Sequence, residues 1–114
     1  MNETAITRLR MHSYREVEME ILRWAEARRI IPNATPLSQL LKAVSEMGEL
    51  ADAEGKQDLP GIKDAVGDVL VCLINYCALR DLDMTRCLAG AYEQIKDRRG
   101  TLMPDGTFVK ERQA

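Results

Sequence analysis

The segment from Asp58 to Arg80 constrains the fold of this chain more than any other part of the sequence. Asp58 can cap a helix in this segment, and the early Pro60 is tolerated because first-turn amides have no intrahelical partner. At about 100° per residue, apolar side chains would cover most of the circumference of that helix: Ile62, Val66, Val69, Leu70, Leu73, Ile74, Tyr76 and Cys77. The segment predicts a helix over residues 58–80, buried nearly all round by other helices.

Start signals predict two helices before this segment. Ser13 and Glu16 have the spacing of a capping box and open a helix over residues 13–30. Thr35 followed by Pro36 opens a second helix over residues 36–54. Each has an apolar stripe at helical spacing: Tyr14, Val17, Ile21, Trp24 and Ala25 in the first, and Leu37, Leu40, Leu41, Val44, Gly48 and Ala51 in the second.

A fourth helix and a short tail complete the chain. The helix is predicted over residues 84–99, after Asp83, and Gly100 ends it. In the tail, residues 100–114, the turn sequence Pro104–Gly106 predicts a small hairpin or an extended arm. We therefore expect an all-α, four-helix bundle-like subunit, formed as one domain over residues 1–114, that also uses a partner subunit.

Composition and charge exclude several classes of protein. The longest apolar run, residues 69–74, is far shorter than the roughly 20 residues that span a bilayer. Arg8 and Arg10 interrupt what would be the apolar part of a signal peptide. A net charge of -2 provides no basic surface for a phosphate backbone. We expect a soluble, cytoplasmic protein that binds neither membrane nor nucleic acid.

Three polar residues interrupt the apolar surface of the predicted third helix. Asp64, Asp68 and Asn75 are spaced by four and seven residues, which places them in one narrow stripe. A lone ionised carboxylate in an apolar interior costs more than the marginal stability of a domain allows. Asp68 must therefore be protonated, paired with a base or bound to a cation.

The predicted second helix has a matching pair of acids away from its leucine stripe. Glu46 and Glu49 are three residues apart, and Lys42 precedes Glu46 by four, so a solvated ion pair is a competing explanation. If this face meets the stripe of Asp64 and Asp68, four carboxylates converge. Hard oxygen ligands favour Mg²⁺ or Mn²⁺ over Zn²⁺.

Other candidate residues have simpler alternatives. Trp24 is expected in the core or at a subunit interface, although it could stack on a base. Lys96 and Arg99 suit a solvated helix end, although both could reach phosphate oxygens. His12 is expected to be a surface or terminal residue. The cysteines have no zinc-type spacing and are expected to be reduced thiols in the core: Cys72, Cys77 and Cys87.

Two motifs and the end of the chain resemble one family. Lys42-x3-Glu46-x2-Glu49-Leu50, followed by Asp64-x2-Gly67-Asp68-Val69-Leu70, is similar to the MazG-like nucleotide pyrophosphohydrolases. The stretch from Ala91 to Gly100 and the Gly-Thr-Phe-Val-Lys sequence at residues 106–110 add to the likeness, which covers residues 36–110.

The resemblance implies an α-helical subunit that forms a homodimer or homotetramer. It also implies Mg²⁺-dependent hydrolysis of a nucleoside triphosphate to the monophosphate and pyrophosphate. By position, Glu46, Glu49 and Asp68 match metal-binding carboxylates of the family. The fourth acid of the family would fall on Ala65, whereas here an acid stands at Asp64, and Ser45 replaces a further Glu of many members.

Each candidate residue has an expected role, and for Lys96, Arg99 and Asn75 that role is a hypothesis from geometry alone. Glu46 or Glu49 would orient or deprotonate the attacking water, while Mg²⁺, or Mn²⁺ in its place, neutralises phosphate charge. Lys96 and Arg99 would stabilise the leaving pyrophosphate, and Asn75 would hydrogen-bond the sugar or base. The competing hypotheses are a non-catalytic helical interaction module with solvated carboxylates, and a related chemistry that releases single phosphates.

Overall fold

Five helices and one β-hairpin form the described part of the chain. The computed structural model describes residues 13–111. The predicted all-α class is confirmed, and a hairpin forms in the tail. The elements in chain order are α1 (Tyr14–Ala27), α2 (Ile30–Asn33), α3 (Pro36–Gly55), α4 (Leu59–Leu79), α5 (Met84–Ile95), β1 (Gly100–Leu102) and β2 (Phe108–Lys110).

The predicted capping residues start the four longer helices. Ser13 accepts a hydrogen bond from the Glu16 amide at the start of α1. The Thr35 hydroxyl does the same for α3, the Asp58 carboxylate for α4 and the Asp83 carboxylate for α5. Each side chain satisfies one of the amides that have no partner inside the helix.

Two helix ends differ from the predicted ones. α1 ends at Ala27 instead of residue 30, because Arg29 adopts a left-handed backbone conformation with φ 62° and α2 follows. α5 ends at Ile95 instead of residue 99, because the Arg98 amide closes a turn onto the Ile95 carbonyl. The backbone then extends into β1, so Gly100 begins a strand and does not end a helix.

The chain divides into two compact units, and the first consists of α1 to α4. The link between α3 and α4 is only three residues long, so the two helices fold back on each other and form the most extensive packing of the unit. α1 and α2 both pack against α4. The buried apolar side chains are mostly small, which lets helix axes approach closely: Ala25, Ala43, Ala53, Ala65, Val69, Cys72 and Ile74.

The prediction that the third long helix is buried nearly all round is wrong for this chain alone. Val66 and Leu70 of α4 remain 43% and 41% exposed. The leucine stripe of α3 is also exposed rather than in the core. The reason is that Ala43 and Ala53, which lie on a different face of α3, make up its buried apolar surface. One chain therefore covers only part of the apolar surface of its two longest helices.

The second unit, residues 83–111 of the described chain, contains α5 and the hairpin. In the hairpin, Thr101 pairs with Val109 in an antiparallel register. The turn uses Gly106 at φ +89°, a conformation that glycine adopts without strain. Every residue from 85 to 111 is exposed. No helix within residues 13–111 combines the length and apolar character needed to cross a membrane.

None of the three cysteines forms a disulfide within residues 13–111, and they do not all fill the core as predicted. Cys72 is buried, Cys77 is half-buried and Cys87 on α5 is exposed. Cys87 is exposed because α5 contains no buried residue within its own unit. His12 lies outside the described residues.

Candidate active site

Glu46 projects from the face of α3 that packs towards α4. It lies three residues after Ala43 and seven before Ala53, and both alanines are buried. Helical periodicity therefore places its carboxylate on the same side as the packed face. Glu46 is half-buried, and its Oε2 is inaccessible and has no hydrogen-bond partner within the described chain.

Two of the predicted acids, Glu49 and Asp68, lie close enough to a third, Glu46, to raise its pKa. Burial raises the pKa of the Glu46 carboxyl, a hydrogen bond with Glu49 and the negative charge of Glu49 raise it further, and Asp68 adds to the shift. Lys42 acts in the opposite direction. Asp68 belongs to α4, so the acids of the two long helices face each other. The causes of the pKa shift of Glu46 therefore agree with the prediction that these two helix faces meet.

Cys72 marks the same region from the α4 side. It follows Asp68 by one helical turn and is buried. Burial raises the pKa of the Cys72 thiol, the Lys42 ammonium lowers it, and the charges of Glu46 and Asp68 raise it again. The side chains of Lys42, Glu46, Asp68 and Cys72 therefore share one environment between the helices.

The fourth predicted acid, Asp64, lines a cleft with Glu49. This cleft has a volume of about 210 Å³ and lies where α3 ends and α4 begins. Glu49 is exposed and belongs both to the acids around Glu46 and to the lining of the cleft. It raises the pKa of Glu46 on one side and borders the cleft on the other. The full lining consists of Glu49, Asp52, Ala53, Lys56, Asp58, Gly61, Asp64 and Ala65.

The carboxylates share a region but do not surround a common point. Within residues 13–111, no three His, Cys, Asp or Glu side chains are arranged to hold a metal ion together. Burial is the largest cause of the raised pKa of Glu46, and the negative charges of Glu49 and Asp68 add to it. The four-carboxylate metal site remains a prediction.

The remaining predicted residues lie in three different places. Asn75 of α4 is 2% exposed, and its Oδ1 has no hydrogen-bond partner in the described chain. Trp24 of α1 is 44% exposed, and the Arg28 guanidinium lies 5.1 Å from the centre of its ring, so Trp24 is not a core residue here. Lys96 and Arg99 belong to the second unit, and the Lys96 ammonium pairs with Glu93 at 2.9 Å.

Two polar features of the first unit have no signal in the sequence. Asp52 and Lys56 line the cleft, and no motif singled them out because the cleft exists only once the link folds. Glu18 of α1 is 5% exposed, and its carboxylate accepts hydrogen bonds from Arg15 Nη1 at 2.7 Å and from the Tyr14 hydroxyl at 3.2 Å. A charged residue at helical spacing looks solvated in sequence, so burial of Glu18 had no local signal.

The family to which the chain belongs follows from its match to a family model. Residues 34–103 match the model of the MazG nucleotide pyrophosphohydrolase domain, which spans most of the chain. The chain belongs to the MazG family. The matched range contains α3, α4 and α5, and with them every predicted site residue except Trp24.

Two phage proteins are similar to this MazG chain. An uncharacterised 18.2 kDa protein in the rep-hol intergenic region of Haemophilus phage HP1 (strain HP1c1) is 33% identical over 64 residues. That match covers 56% of this chain and 39% of the phage protein, so the MazG chain matches less than half the length of its relative.

A solved structure shares the MazG fold. The cyanophage S-2L MazG-like pyrophosphohydrolase, bound to dGDP and three catalytic Mn²⁺ ions per active site, superimposes with a TM-score of 0.67. The match covers 91% of this chain and 98% of that one, at 20% sequence identity. It confirms the fold predicted from the resemblance.

Proposed function

We propose that this protein hydrolyses a ribo- or deoxyribonucleoside triphosphate to the monophosphate and pyrophosphate, with Mg²⁺ or, in its place, Mn²⁺. One observation supports this function above the others: the charges of Glu49 and of Asp68, from the neighbouring helix, both act on Glu46, and Glu46 Oε2 is buried without a hydrogen-bond partner among residues 13–111. Acidic groups held together against their repulsion are typical of cation-binding and catalytic sites. Membership of the MazG family supports the same reaction.

The residues of the site have the chemistry that a divalent metal requires. Carboxylate oxygens are the preferred ligands of Mg²⁺ and Mn²⁺. Glu46 Oε2 is a buried oxygen with no hydrogen-bond donor in the part of the chain that the structure describes, and a cation would satisfy it. We assign Glu46, Glu49 and Asp68 as ligands, with Asp64 at the border of the cleft. The related cyanophage enzyme was solved with Mn²⁺, which supports this assignment.

The reaction breaks the bridge between the α- and β-phosphorus atoms. A divalent cation held by Glu46, Glu49 and Asp68 would supply positive charge to neutralise the phosphate oxygens. Glu46 or Glu49 orients the attacking water and accepts its proton. The water oxygen becomes part of the product that contains the attacked phosphorus, and the bridging oxygen leaves with the other product. A raised carboxyl pKa, as for Glu46, makes a carboxylate a better proton acceptor near neutral pH.

The remaining residues are proposed to hold the substrate. Asn75 would hydrogen-bond the sugar or base, and its unpaired Oδ1 supports this role. Trp24 is exposed enough to stack on a base. Lys96 and Arg99 would interact with phosphate oxygens. We further propose that residues 1–114 act as one domain in the cytoplasm.

Pyrophosphate release from a panel of ribo- and deoxyribonucleoside triphosphates tests the proposed reaction. With Mg²⁺ present, we expect pyrophosphate from at least one of them, and Asp68→Asn should lower kcat by about 100-fold or more, since it removes a charge from the site. Asp97→Asn is the matched control, because Asp97 is an exposed acid of the second unit. Release of single phosphates would indicate the related triphosphatase chemistry. No turnover of any triphosphate would favour a non-catalytic interaction module.

A homodimer or homotetramer is the proposed assembly. The exposed leucine stripe of α3 supports it, because Leu37, Leu41 and Val44 are 62%, 59% and 64% exposed in one chain. Contiguous exposed apolar side chains of this kind usually mark a protein interface. A second copy of the chain would cover them.

Sedimentation velocity tests this assembly. We expect the wild-type protein to sediment as a dimer or tetramer and Val44→Glu to sediment as a smaller species, because a charge at the centre of an apolar interface has no partner. Gln94→Glu, at an exposed polar position of α5, should leave the assembly unchanged. A wild-type monomer at micromolar concentration would contradict the proposal.

A further inference from the structure

The close approach of Gly61 to Ala53 fixes how α3 and α4 are aligned. A Cβ at Gly61 would lie 3.4 Å from the Ala53 Cβ, so these two residues are opposite each other beside the short link. From that point the two helices run in opposite directions with the same rise per residue. A residue of α3 therefore lies level with the α4 residue that is equally far from this contact.

This alignment pairs Glu46 with Asp68 and, one turn further from the link, Lys42 with Cys72. Glu46 and Asp68 are each seven residues from the contact, and Lys42 and Cys72 are each eleven residues from it. Seven residues make about two turns of a helix and eleven make about three. All four residues are therefore on the facing sides of the two helices, with a lysine directly beyond the acids.

The charge of Lys42 acts across this interface without an ion pair. Lys42 lowers the pKa of the Glu46 carboxyl and of the Cys72 thiol, and Cys72 is 3% exposed. However, Lys42 forms no ion pair with another residue among 13–111. The residue level with it on α4 is a thiol and not a carboxylate. Lys42 thus places a positive charge beside the acids that no single carboxylate holds.

We infer that Lys42 is the resident counter-ion of the acids between α3 and α4, and that it competes with the divalent metal for them. The inference rests on the proposed function, which assigns Glu46, Glu49 and Asp68 as metal ligands. Without metal, the ammonium offsets part of the effect that the charges of Glu49 and Asp68 have on Glu46. The same ammonium repels a divalent cation that binds these carboxylates. Lys42 therefore lowers the affinity of the site for metal.

The affinity for Mn²⁺, measured without nucleotide, tests the inference. Isothermal titration calorimetry at low ionic strength gives the dissociation constant for the wild-type protein and its variants. We expect Lys42→Gln to bind Mn²⁺ about threefold to tenfold more tightly, because a unit charge that repels the divalent cation is lost. Lys42→Arg retains the charge and should bind Mn²⁺ within about twofold of wild type. Saturating Mn²⁺ should also raise the melting temperature of Lys42→Gln more than that of wild type.

Lys63→Gln is the matched control, because Lys63 is exposed on α4 and is not among the charges that act on Glu46 or Cys72. It should leave the affinity for Mn²⁺ unchanged. Unchanged or weaker Mn²⁺ binding in Lys42→Gln would overturn the inference. A higher KM for the triphosphate with unchanged Mn²⁺ binding would overturn it too, and would show that Lys42 binds substrate instead.

Failure of the proposed function has a different signature. Asp68→Asn would then bind Mn²⁺ as tightly as the wild-type protein, and no triphosphate would release pyrophosphate. If only the inference fails, Asp68→Asn weakens Mn²⁺ binding and pyrophosphate is released, while Lys42→Gln and wild type bind Mn²⁺ equally. A wild-type protein that binds no Mn²⁺ would overturn both.

Discussion

The two units of this chain have equally clear local signals but very different interiors. Residues 13–82 contain every buried side chain of the described chain, whereas residues 85–111 contain none. Both units have capped helices, and the second also has a well-formed hairpin. Capping and turn residues are therefore sufficient to specify elements, but only packing between elements provides most of the stability of a helix.

The largest contrast is expected when one apolar side chain is truncated in each unit. Ile74 is 3% exposed and Leu88 is 70% exposed. Ile74→Ala should lower the free energy of unfolding by about 2–5 kcal/mol, because it removes buried surface and leaves a cavity. Leu88→Ala should change it by about 0.5 kcal/mol or less. Urea unfolding followed by circular dichroism measures both. Equal losses would show that α5 is covered as well as α4.

A glycine in each unit sharpens the comparison. A Cβ at Gly61 in α4 would collide with the Asp58 carboxylate that caps the helix, whereas a Cβ at Gly90 in α5 meets nothing within 4 Å. Gly61→Ala should lower the melting temperature, since the cap is lost at a cost of about 1 kcal/mol. Gly90→Ala should raise the intrinsic stability of α5 by up to about 1 kcal/mol. Thermal melts of the two variants should therefore shift in opposite directions.

Removal of the Glu46 charge in the first unit and of the Glu93 charge in the second should have different effects on the melting temperature. The pKa of Glu46 is raised, so its ionised form is less favourable in the folded protein than in the unfolded chain. The stabilisation from the protonated form is present at low pH and is lost as pH rises through the raised pKa. At pH 7 and without metal, Glu46→Gln should therefore raise the melting temperature. Glu93→Gln on α5, which breaks an exposed pair with Lys96, should lower it slightly or leave it unchanged.

The smallest perturbation is labelling of the cysteines. Cys87 in the second unit is exposed, whereas Cys72 is buried and its thiol pKa is raised. Because the thiolate is the reactive form, Cys87 should react with a maleimide first and Cys72 last. Mass spectrometry of peptides after timed labelling gives the order. Faster labelling of Cys72 than of Cys87 would contradict the burial of the α3–α4 interface.

Sequence reasoning succeeded where the signal was local. The capping roles of Ser13, Thr35 and Asp58 depend on a few consecutive residues, and all three are confirmed. The predicted end of α5 was wrong. The charged residues after Ile95 are compatible with a helix, and only the turn that leads into the hairpin ends it. Local helix propensity cannot show that this turn replaces a further turn of helix.

The site was predictable only in part for a similar reason. Spacing placed Glu46 and Glu49 on one face of α3 and Asp68 on a polar stripe of α4, and the effects of Glu49 and Asp68 on the pKa of Glu46 agree with that placement, while the metal site itself stays a prediction. The exposure of the leucine stripe was not expected, because a stripe of large apolar residues normally faces the core. Here small residues make up the buried face of α3, with Ala43 and Ala53 beside the acids. Lys56 and Asp52 were missed because only the folded link brings them to the cleft.

The brevity of the connection at residues 56–58 has an evolutionary consequence. Gln57 adopts φ 55°, Lys56 closes one helix and Asp58 opens the next, so no spare residue exists between them. An extra residue there would either rotate the following helix by about 100° or slide it along its neighbour. Most surface connections tolerate insertions, but this one sets the alignment of both acidic motifs. Among natural variants, length changes should therefore accumulate elsewhere in the chain and be rare at this bend.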